Sequence, residues 1–184
     1  MNLYLRLIWA LFRTRFMPSL SIDDTLERTF RVWPNDLDIN VHMNNGRYLT
    51  MLDLLLVEYF ARIGFLRVLM QNNWRPMSGG ACITYRRGLK PFQKYRIRYS
   101  WAGSNEFWNV MKFEFLTMDG ELCATGFMKG AAVGSRGLVP NAKSFEKLGV
   151  TQMNRDLPEA ARLWLQAEEA MMDNRADLSL ATAA

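Results

Sequence analysis

A ten-residue stretch, Asp36 to Asn45, contains the side chains of this sequence that are best suited to chemistry. It holds two carboxylates (Asp36 and Asp38), three asparagines and His42, which is the only histidine in the chain. These groups can accept, donate or relay protons and hydrogen bonds. An apolar segment follows directly, so we expect the stretch to lie at a helix N-terminus, where free amide N–H groups can polarise a carbonyl. Two interpretations follow: a site that activates water, or a turn in which Asn and Asp cap the helix.

The helix that would position these side chains is predicted from Gly46 to about Met70. Either Asn44 or Asn45 is suited to be its N-cap. Apolar residues cover most of its circumference, and a helix of this kind has to be enclosed by other structure. They are Leu49, Leu52, Leu55, Leu56, Tyr59, Phe60, Ile63, Leu66 and Leu69. Charged residues within the segment argue against a membrane-spanning helix.

Short strands are predicted on both sides of this helix. They cover residues 29–33, 81–87, 95–101, 107–117 and 122–133, several of them rich in aromatic and β-branched residues. From Tyr95 to Trp101 the odd-numbered positions are apolar and the even-numbered ones polar, which is typical of a strand with one buried face. No helix intervenes between the last four segments, so an antiparallel meander is the simplest arrangement. With shorter helices at 141–148 and 156–172, the sequence predicts an α+β fold in which a curved sheet wraps around one long helix.

The composition fits a globular protein and narrows its partners. Hydrophobic residues make up 49% and charged residues 22% of the 184 residues, which argues against disorder. The net charge of +5 favours an anionic partner, whether a phosphate-bearing ligand, an anionic lipid or a nucleic acid. Cys82 and Cys123 are far apart in apolar surroundings, which is typical of reduced thiols in a cytoplasmic protein. With one histidine and two cysteines, we expect no metal site, and we expect no cofactor.

The first sixteen residues form a basic, amphipathic segment. Apolar residues from Leu3 to Phe12 fall on one face of a predicted helix that also carries arginines. Arg6 interrupts the apolar run and no small-residue cleavage site follows, which argues against a signal peptide. The helix either packs on the protein's own body or a partner subunit, or lies on an anionic membrane surface. We therefore divide the chain into this helix with its linker (1–24), a central domain (25–135) and a C-terminal helical extension with a tail (136–184).

The stretch from Asp36 to Asn45, with Tyr48 just after it, resembles the signature of hot-dog fold thioesterases. Two branches are most similar to it. One is the acyl-acyl-carrier-protein thioesterases, whose motif has Asp, Asn and His at alternating positions, and the other contains thioesterase superfamily member six. Segments 85–87 and 90–93 and the basic N-terminus also resemble the second branch. The resemblance covers residues 27–133 and implies a hot-dog fold, a homodimer or higher homo-oligomer, and an acyl thioester hydrolase.

The resemblance also implies a role for individual residues. The catalytic set would be Asp38, Asn40 and His42, which match the family's catalytic acid, carboxamide and imidazole. Asn45 and Gly46 would form the oxyanion and substrate site at the helix start, through backbone N–H groups and the space that a glycine leaves. Asp36 matches an acidic position that more often supports the loop.

Two further positions bear on the carrier and on the rate. Arg86 and Arg87 would bind the phosphates of coenzyme A or of the phosphopantetheine arm, although a solvated, charged sheet face explains them equally well. Where the acyl-carrier-protein branch has a glutamate before its Tyr-Arg-Arg triplet, this chain has Thr84, which cannot act as a carboxylate base. Either Asp38 and His42 suffice for catalysis, or turnover is slow, or the protein binds without hydrolysing.

Several functions remain open at this point. Hydrolysis of acyl-CoA or acyl-carrier-protein thioesters in fatty acid metabolism is the function that we predict first. Enoyl-thioester hydratases of this fold also use Asp and His, but their motif usually has a proline and a longer spacer. A non-catalytic, acyl-binding or membrane-associated protein would fit Thr84 and the basic N-terminus. Nucleic-acid binding is suggested by charge alone, without a recognisable motif.

Overall fold

The computed structural model describes residues 8, 11–150 and 156–181, and one antiparallel sheet lies at its centre. The strands are β1 (Leu26–Arg31), β2 (Arg75–Tyr85), β3 (Lys94–Ser104), β4 (Asn109–Thr117), β5 (Leu122–Gly134) and β6 (Gly137–Leu138). Their order in the sheet is β1-β3-β4-β5-β2, with β6 paired to β5. The predicted meander is confirmed for β3, β4 and β5. It is wrong for β2, which pairs with β5 and so becomes an edge strand of the sheet.

The helices are α1 (Asn45–Arg62), α2 (Phe65–Gln71), α3 (Asn141–Leu148) and α4 (Glu159–Ala181), with a 3₁₀ turn at Pro34–Asp36. The prediction of one helix from residue 46 to 70 is wrong, because the helical conformation is interrupted at Gly64. This glycine has a φ of 82°, a left-handed conformation that commonly ends helices. The break lets Phe65 turn back onto Phe60, with ring centroids 5.0 Å apart.

Helix α1 packs against one face of the curved sheet and forms the main core with it. Tyr48 lies 4.8 Å from Phe115 and Tyr59 lies 5.8 Å from Tyr99, measured between ring centroids. The alternation predicted in β3 is confirmed, since its odd-numbered residues from 95 to 101 are buried and point toward this core. The opposite face of α1 is open, and both Leu49 and Asp53 are exposed there. The predicted all-round enclosure of the helix is therefore wrong for a single chain.

Strand β2 begins at Arg75, well before the predicted start at residue 81, and it includes Pro76. A proline lacks the N–H that a central strand needs, but an edge strand can hold one on its unpaired side. A β-bulge between Ser78 and Gly80 interrupts the pairing with β5. The prediction missed this half of the strand because Pro76, Gly79 and Gly80 are typical of loops.

The C-terminal helices cover two different parts of the sheet. Helix α3, at the predicted position, joins the main core through Phe145, whose ring lies 5.7 Å from that of Trp101. Helix α4 begins at Glu159 rather than at residue 156, and it packs on the other face of the sheet through Ala161 and Leu165. The division into three parts remains a prediction.

The N-terminal helix predicted at 1–16 falls largely on residues 1–7, 9 and 10, which lie outside the described residues. Within the described part, residues 11–14 are helical, and Phe12 and Phe16 are exposed. Residues 18–22 then run beside the C-terminal end of α1, where Leu20 N–H donates to Arg62 O at 3.1 Å. None of the helices described is long and apolar enough to span a bilayer.

Candidate functional site

The motif forms a closed turn in front of α1. Asp38 N–H donates to His42 O at 2.8 Å, and Leu37 and Met43 form a β-bridge on either side of the turn. Asp38 Oδ1 accepts hydrogen bonds from Asn40 N–H at 2.9 Å and from His42 N–H at 3.2 Å. One oxygen of the Asp38 carboxylate therefore holds the turn, as the structural interpretation of the motif predicted.

Asp36 supports this loop from inside the protein. Its side chain is buried, Oδ2 accepts from Trp33 N–H at 3.0 Å, and Oδ1 lies 3.2 Å from the Arg47 guanidinium. The Asp36 carbonyl also accepts from Asn44 N–H at 2.8 Å. These contacts tie the loop to the first turn of α1 and agree with the supporting role suggested for Asp36.

The start of α1 offers one free amide. Asn44 is the N-cap, and its Oδ1 accepts from Gly46 N–H at 2.9 Å. The expectation that Gly46 supplies an N–H to substrate is therefore not supported, because the cap already uses that donor. Asn45 N–H has no acceptor among the described residues, since it lies in the first turn, where amides lack intrahelical partners. The oxyanion role of Asn45 stays a prediction, while Gly46 leaves room for the cap.

A second loop, residues 86–93, lies directly against the motif. Leu89 O accepts from Met43 N–H at 2.9 Å, and Tyr85 Oη donates to Asn45 O at 3.0 Å. A Cβ added to Gly88 would lie 2.7 Å from Cδ2 of His42, so the imidazole packs on this glycine's backbone. Tyr85, Gly88 and Leu89 were not among the residues predicted from sequence to form the site. The one signal for Tyr85 was the likeness of segment 85–87 to a known branch, and Gly88 and Leu89 had none.

Tyr48 lies beneath the motif and links it to the core. Burial raises the pKa of its phenol to about 12, with smaller contributions from neighbouring groups that include the Asp38 carboxylate. At neutral pH the hydroxyl is therefore protonated, and the Leu89 backbone beside it acts against burial by lowering its pKa. The Tyr48 ring also meets that of Tyr85 edge-on at 5.1 Å. The two tyrosines fix the motif, the helix start and the second loop relative to one another.

The structure brings the three predicted catalytic residues together through their backbones. Asp38 is half-buried, whereas the side chains of Asn40 and His42 are exposed on the turn. No hydrogen bond joins the three side chains directly among the described residues. Each is therefore available to a ligand at the surface of the turn, except for the Asp38 oxygen that holds the backbone.

Arg86 and Arg87 follow β2. They lie between Tyr85 and Leu89, the two residues whose contacts join the second loop to the motif. Both backbone N–H groups donate to Cys123 O. The Arg87 guanidinium is paired with Glu121, whereas Arg86 is exposed and has no ion pair among the described residues. Of the two, Arg86 is thus the better placed to bind a phosphate.

An apolar cavity lies at the other end of α1, with a volume of about 160 Å³. Its walls come from the second half of α1, the start of α2, strands β2 to β5 and helix α3, and include Phe60, Phe65, Met77, Met111 and Phe145. Phe60 is fifteen residues from Asn45, about 22 Å along the helix. Within one chain, the cavity and the motif are therefore separate.

The described residues contain no cluster of three or more histidine, cysteine or acidic side chains that could hold a metal ion. Cys82 and Cys123 are free thiols, and burial raises the pKa of each. The chemistry of the motif is thus that of carboxylate, carboxamide, imidazole and backbone amide.

Known sequences match this chain over most of its length. The model of the thioesterase-like superfamily matches residues 32–171. Protein THEM6 of Drosophila melanogaster is 26% identical over 173 residues, which covers 91% of this chain and 86% of that protein. Protein THEM6 of Xenopus laevis is 36% identical over 67 residues, covering 36% of this chain and 32% of that protein.

Solved structures share the fold at low sequence identity. The probable thioesterase YbaW of Escherichia coli superposes with a TM-score of 0.59 at 16% identity, over 70% of this chain and 99% of that one. A hypothetical protein of Staphylococcus aureus in complex with CoA gives a TM-score of 0.61 at 15% identity, over 78% and 95%. The fold is thus the predicted hot-dog fold, and the family match extends from the motif loop into α4. The sequence is similar to that of THEM6, and the chain belongs to the thioesterase-like superfamily.

Proposed function

We propose that the protein hydrolyses acyl thioesters to a free acid and a thiol. The observation that carries this proposal is the position of the Asp38 carboxylate in the turn before α1, next to a helix start whose Asn45 N–H is free. A base, a water site and an oxyanion donor are the three parts that thioester hydrolysis needs. The family match supports the reaction class, and the roles of single residues are carried over from the resemblance of the motif, with the geometry of the turn and the helix start in support.

In the proposed reaction, the Asp38 oxygen that does not hold the turn takes a proton from water. The hydroxide adds to the thioester carbonyl, and the negative charge on its oxygen is stabilised by Asn45 N–H and by the helix dipole. Collapse of this intermediate expels the thiolate, which takes up the proton held by Asp38. Loss of a single oxyanion donor of this kind typically lowers the rate by roughly 100- to 1000-fold.

Asn40 and His42 would hold the substrate on the outer side of the turn. The Asn40 carboxamide can orient the water or the thioester carbonyl, and the His42 imidazole can donate to the oxyanion or share the proton. Gly88 supports this role because it leaves space for the His42 ring. A side chain at position 88 would push the imidazole away from the loop.

The substrate would be an acyl-CoA or an acyl-carrier-protein thioester. Arg86 is exposed beside the motif and can bind a phosphate of either carrier, and a structural relative was solved with CoA. The free Arg86 guanidinium supports this assignment more strongly than that of Arg87, which is already paired with Glu121.

We further propose that two copies form the working enzyme through their β2 strands. One side of β2 is unpaired, and an exposed strand edge can pair with a second chain. Tyr85 lies at the motif end of β2, and Met77 lines the cavity near the other end. If two β2 strands pair antiparallel about their centres, the motif of one copy faces the cavity of the other. Such a dimer unites the chemistry with an apolar site for the acyl chain.

The decisive test is hydrolysis of a panel of acyl thioesters by the purified protein and its Asp38→Asn variant. Asparagine keeps the Oδ1 acceptor that holds the turn but is not a base, so the fold should persist while turnover falls at least 100-fold. Free-thiol release measures turnover, and thermal unfolding checks the fold. Equal rates for both proteins on the best substrate would rule out Asp38 as the base.

A second candidate function is acyl-thioester binding without hydrolysis. It is favoured by Thr84, which is exposed on β2 opposite Thr125 and stands where a related branch has glutamate. If the missing carboxylate limits the rate, Thr84→Glu should raise turnover, and the exposed site should accept the longer side chain. A slow parent enzyme that gains nothing from this change would contradict that explanation.

Including a trans-2-enoyl-CoA in the panel tests the hydratase alternative.

Cellular location is a separate proposal. A cytoplasmic protein with peripheral membrane contact through residues 1–16 is consistent with the basic, amphipathic composition of that segment.

A further inference from the structure

Large apolar side chains are exposed on the two loops at the motif end of α1. Trp33 is 45%, Ile39 97%, Val41 58% and Phe92 53% exposed, and we call these four residues the apolar rim. The loops run side by side, since Phe92 N–H donates to Val32 O at 3.0 Å and the rings of Trp33 and Phe92 meet edge-on at 6.5 Å. The apolar rim therefore borders the candidate site.

Two residues of the apolar rim adopt an unfavourable backbone conformation. Val41 and Phe92 have φ values of 58° and 59°, in the left-handed region where glycine and asparagine are favoured. Asn73 also has a positive φ, of 55°, and it is an asparagine, one of the residue types that this conformation favours. The turn geometry alone would thus favour small or polar residues at positions 41 and 92. Strain of this kind is often retained at functional positions. We therefore infer that the exposed side chains of Val41 and Phe92 have a function.

The surroundings of the apolar rim are positively charged. Segments 31–47 and 85–94 contain six basic residues and two acidic ones. Both acidic side chains are engaged, Asp36 with Arg47 and Asp38 with its own turn. Arg31, Lys90 and Lys94 are exposed on the same segments. The surface is therefore complementary to an anionic partner.

We propose that the apolar rim docks the mouth of the site onto an anionic lipid bilayer. Exposed aromatic and aliphatic side chains with basic neighbours are the combination that binds membrane interfaces. A side chain as exposed as Ile39, on the outside of a tight turn, fits a deformable bilayer better than the rigid pocket of a protein partner. The surface also lies at the opposite end of α1 from residues 18–22, so it differs from the contact predicted for the N-terminal segment.

The experiment is flotation of the full chain with vesicles of phosphatidylcholine and phosphatidylserine, compared with phosphatidylcholine alone. The main variant is Val41→Asn with Phe92→Asn, because asparagine suits left-handed backbone and should keep or raise the melting temperature. We expect its partition onto anionic vesicles to fall about tenfold, and that of Trp33→Ser with Ile39→Ser to fall similarly. The matched control is Leu163→Ser with Met172→Ser, two exposed apolar residues on α4, which should bind like the parent.

Four results would overturn the proposal. One is unchanged vesicle binding by both rim variants, and another is equal binding to neutral and anionic vesicles. The third is a loss of binding in Phe16→Ser while the rim variants bind normally, which would assign the membrane contact to the N-terminal segment. A rim variant that changes the oligomeric state without changing vesicle binding would instead assign the rim to a second copy. Vesicle binding is measured in the absence of substrate turnover. Its result therefore does not depend on whether the protein hydrolyses thioesters.

Discussion

At the scale of single residues, the motif supports the fold through some of the same side chains to which we assign the proposed chemistry. Asp38 holds its own turn with one oxygen, and Asn44 caps α1. Both local roles could be predicted from sequence, because Asx turns and helix caps depend on residues a few positions apart. The contacts from Tyr85 and Leu89 could not, because they depend on the pairing of β2 with β5, more than thirty residues further along the chain.

Tyr85 is expected to be a positioning residue. Its Oη donates to Asn45 O at 3.0 Å and so fixes the helix start, whose N–H is the proposed oxyanion donor. Tyr85→Phe removes this hydrogen bond and keeps the ring contact with Tyr48. Because such a bond contributes about 1 kcal/mol, we expect kcat to fall up to about tenfold with little change in KM. A raised KM at unchanged kcat would instead indicate a role in binding the substrate.

At the scale of elements, helix α1 shows where periodicity is informative and where it is not. The buried stripe through Leu52, Leu55 and Tyr59 was predictable from its spacing. The break at Gly64 was not, because the apolar spacing continues through it to Leu69 and a lone glycine is also tolerated within helices. The open face of the helix could not be predicted either, since a single chain does not contain the structure that would cover it.

Asp53 lies on that open face and should make stability depend on pH. Even on this open face, neighbouring side chains remove part of the water around the Asp53 carboxyl, and this partial desolvation raises its pKa above the ordinary value of 3.8. The folded state therefore binds the proton more tightly, and stability falls as pH rises from 3.8 through the raised pKa. We expect Asp53→Asn to raise the melting temperature at neutral pH, with the gain lost near pH 3.8 and below. Thermal unfolding at both pH values tests this, with Glu169→Gln on α4 as the control for a change in charge alone.

At the scale of the whole molecule, three features of a single chain either lack a contact surface or lie too far apart to act together. The edge of β2 is unpaired, the face of α1 around Leu49 and Asp53 is open, and the apolar cavity lies about 22 Å from Asn45 along the helix. The proposed antiparallel β2 pair would place a second copy next to all three. The same arrangement would account for the length of β2, because an extended edge strand without a partner favours uncontrolled association.

This dimer can be tested at Ala81, an exposed residue close to the middle of β2. In an antiparallel pair about the strand centre, Ala81→Glu brings the new carboxylates of the two copies close together, where like charges repel. We expect the variant to shift from dimer to monomer in size-exclusion chromatography with light scattering, and to lose most thioester hydrolysis while it remains folded. The control is Met118→Glu, a change at another exposed position, in the β4–β5 turn, that should leave the dimer intact. A dimeric, active Ala81→Glu protein would show that the subunits meet elsewhere, and that the motif and the cavity are not joined through β2.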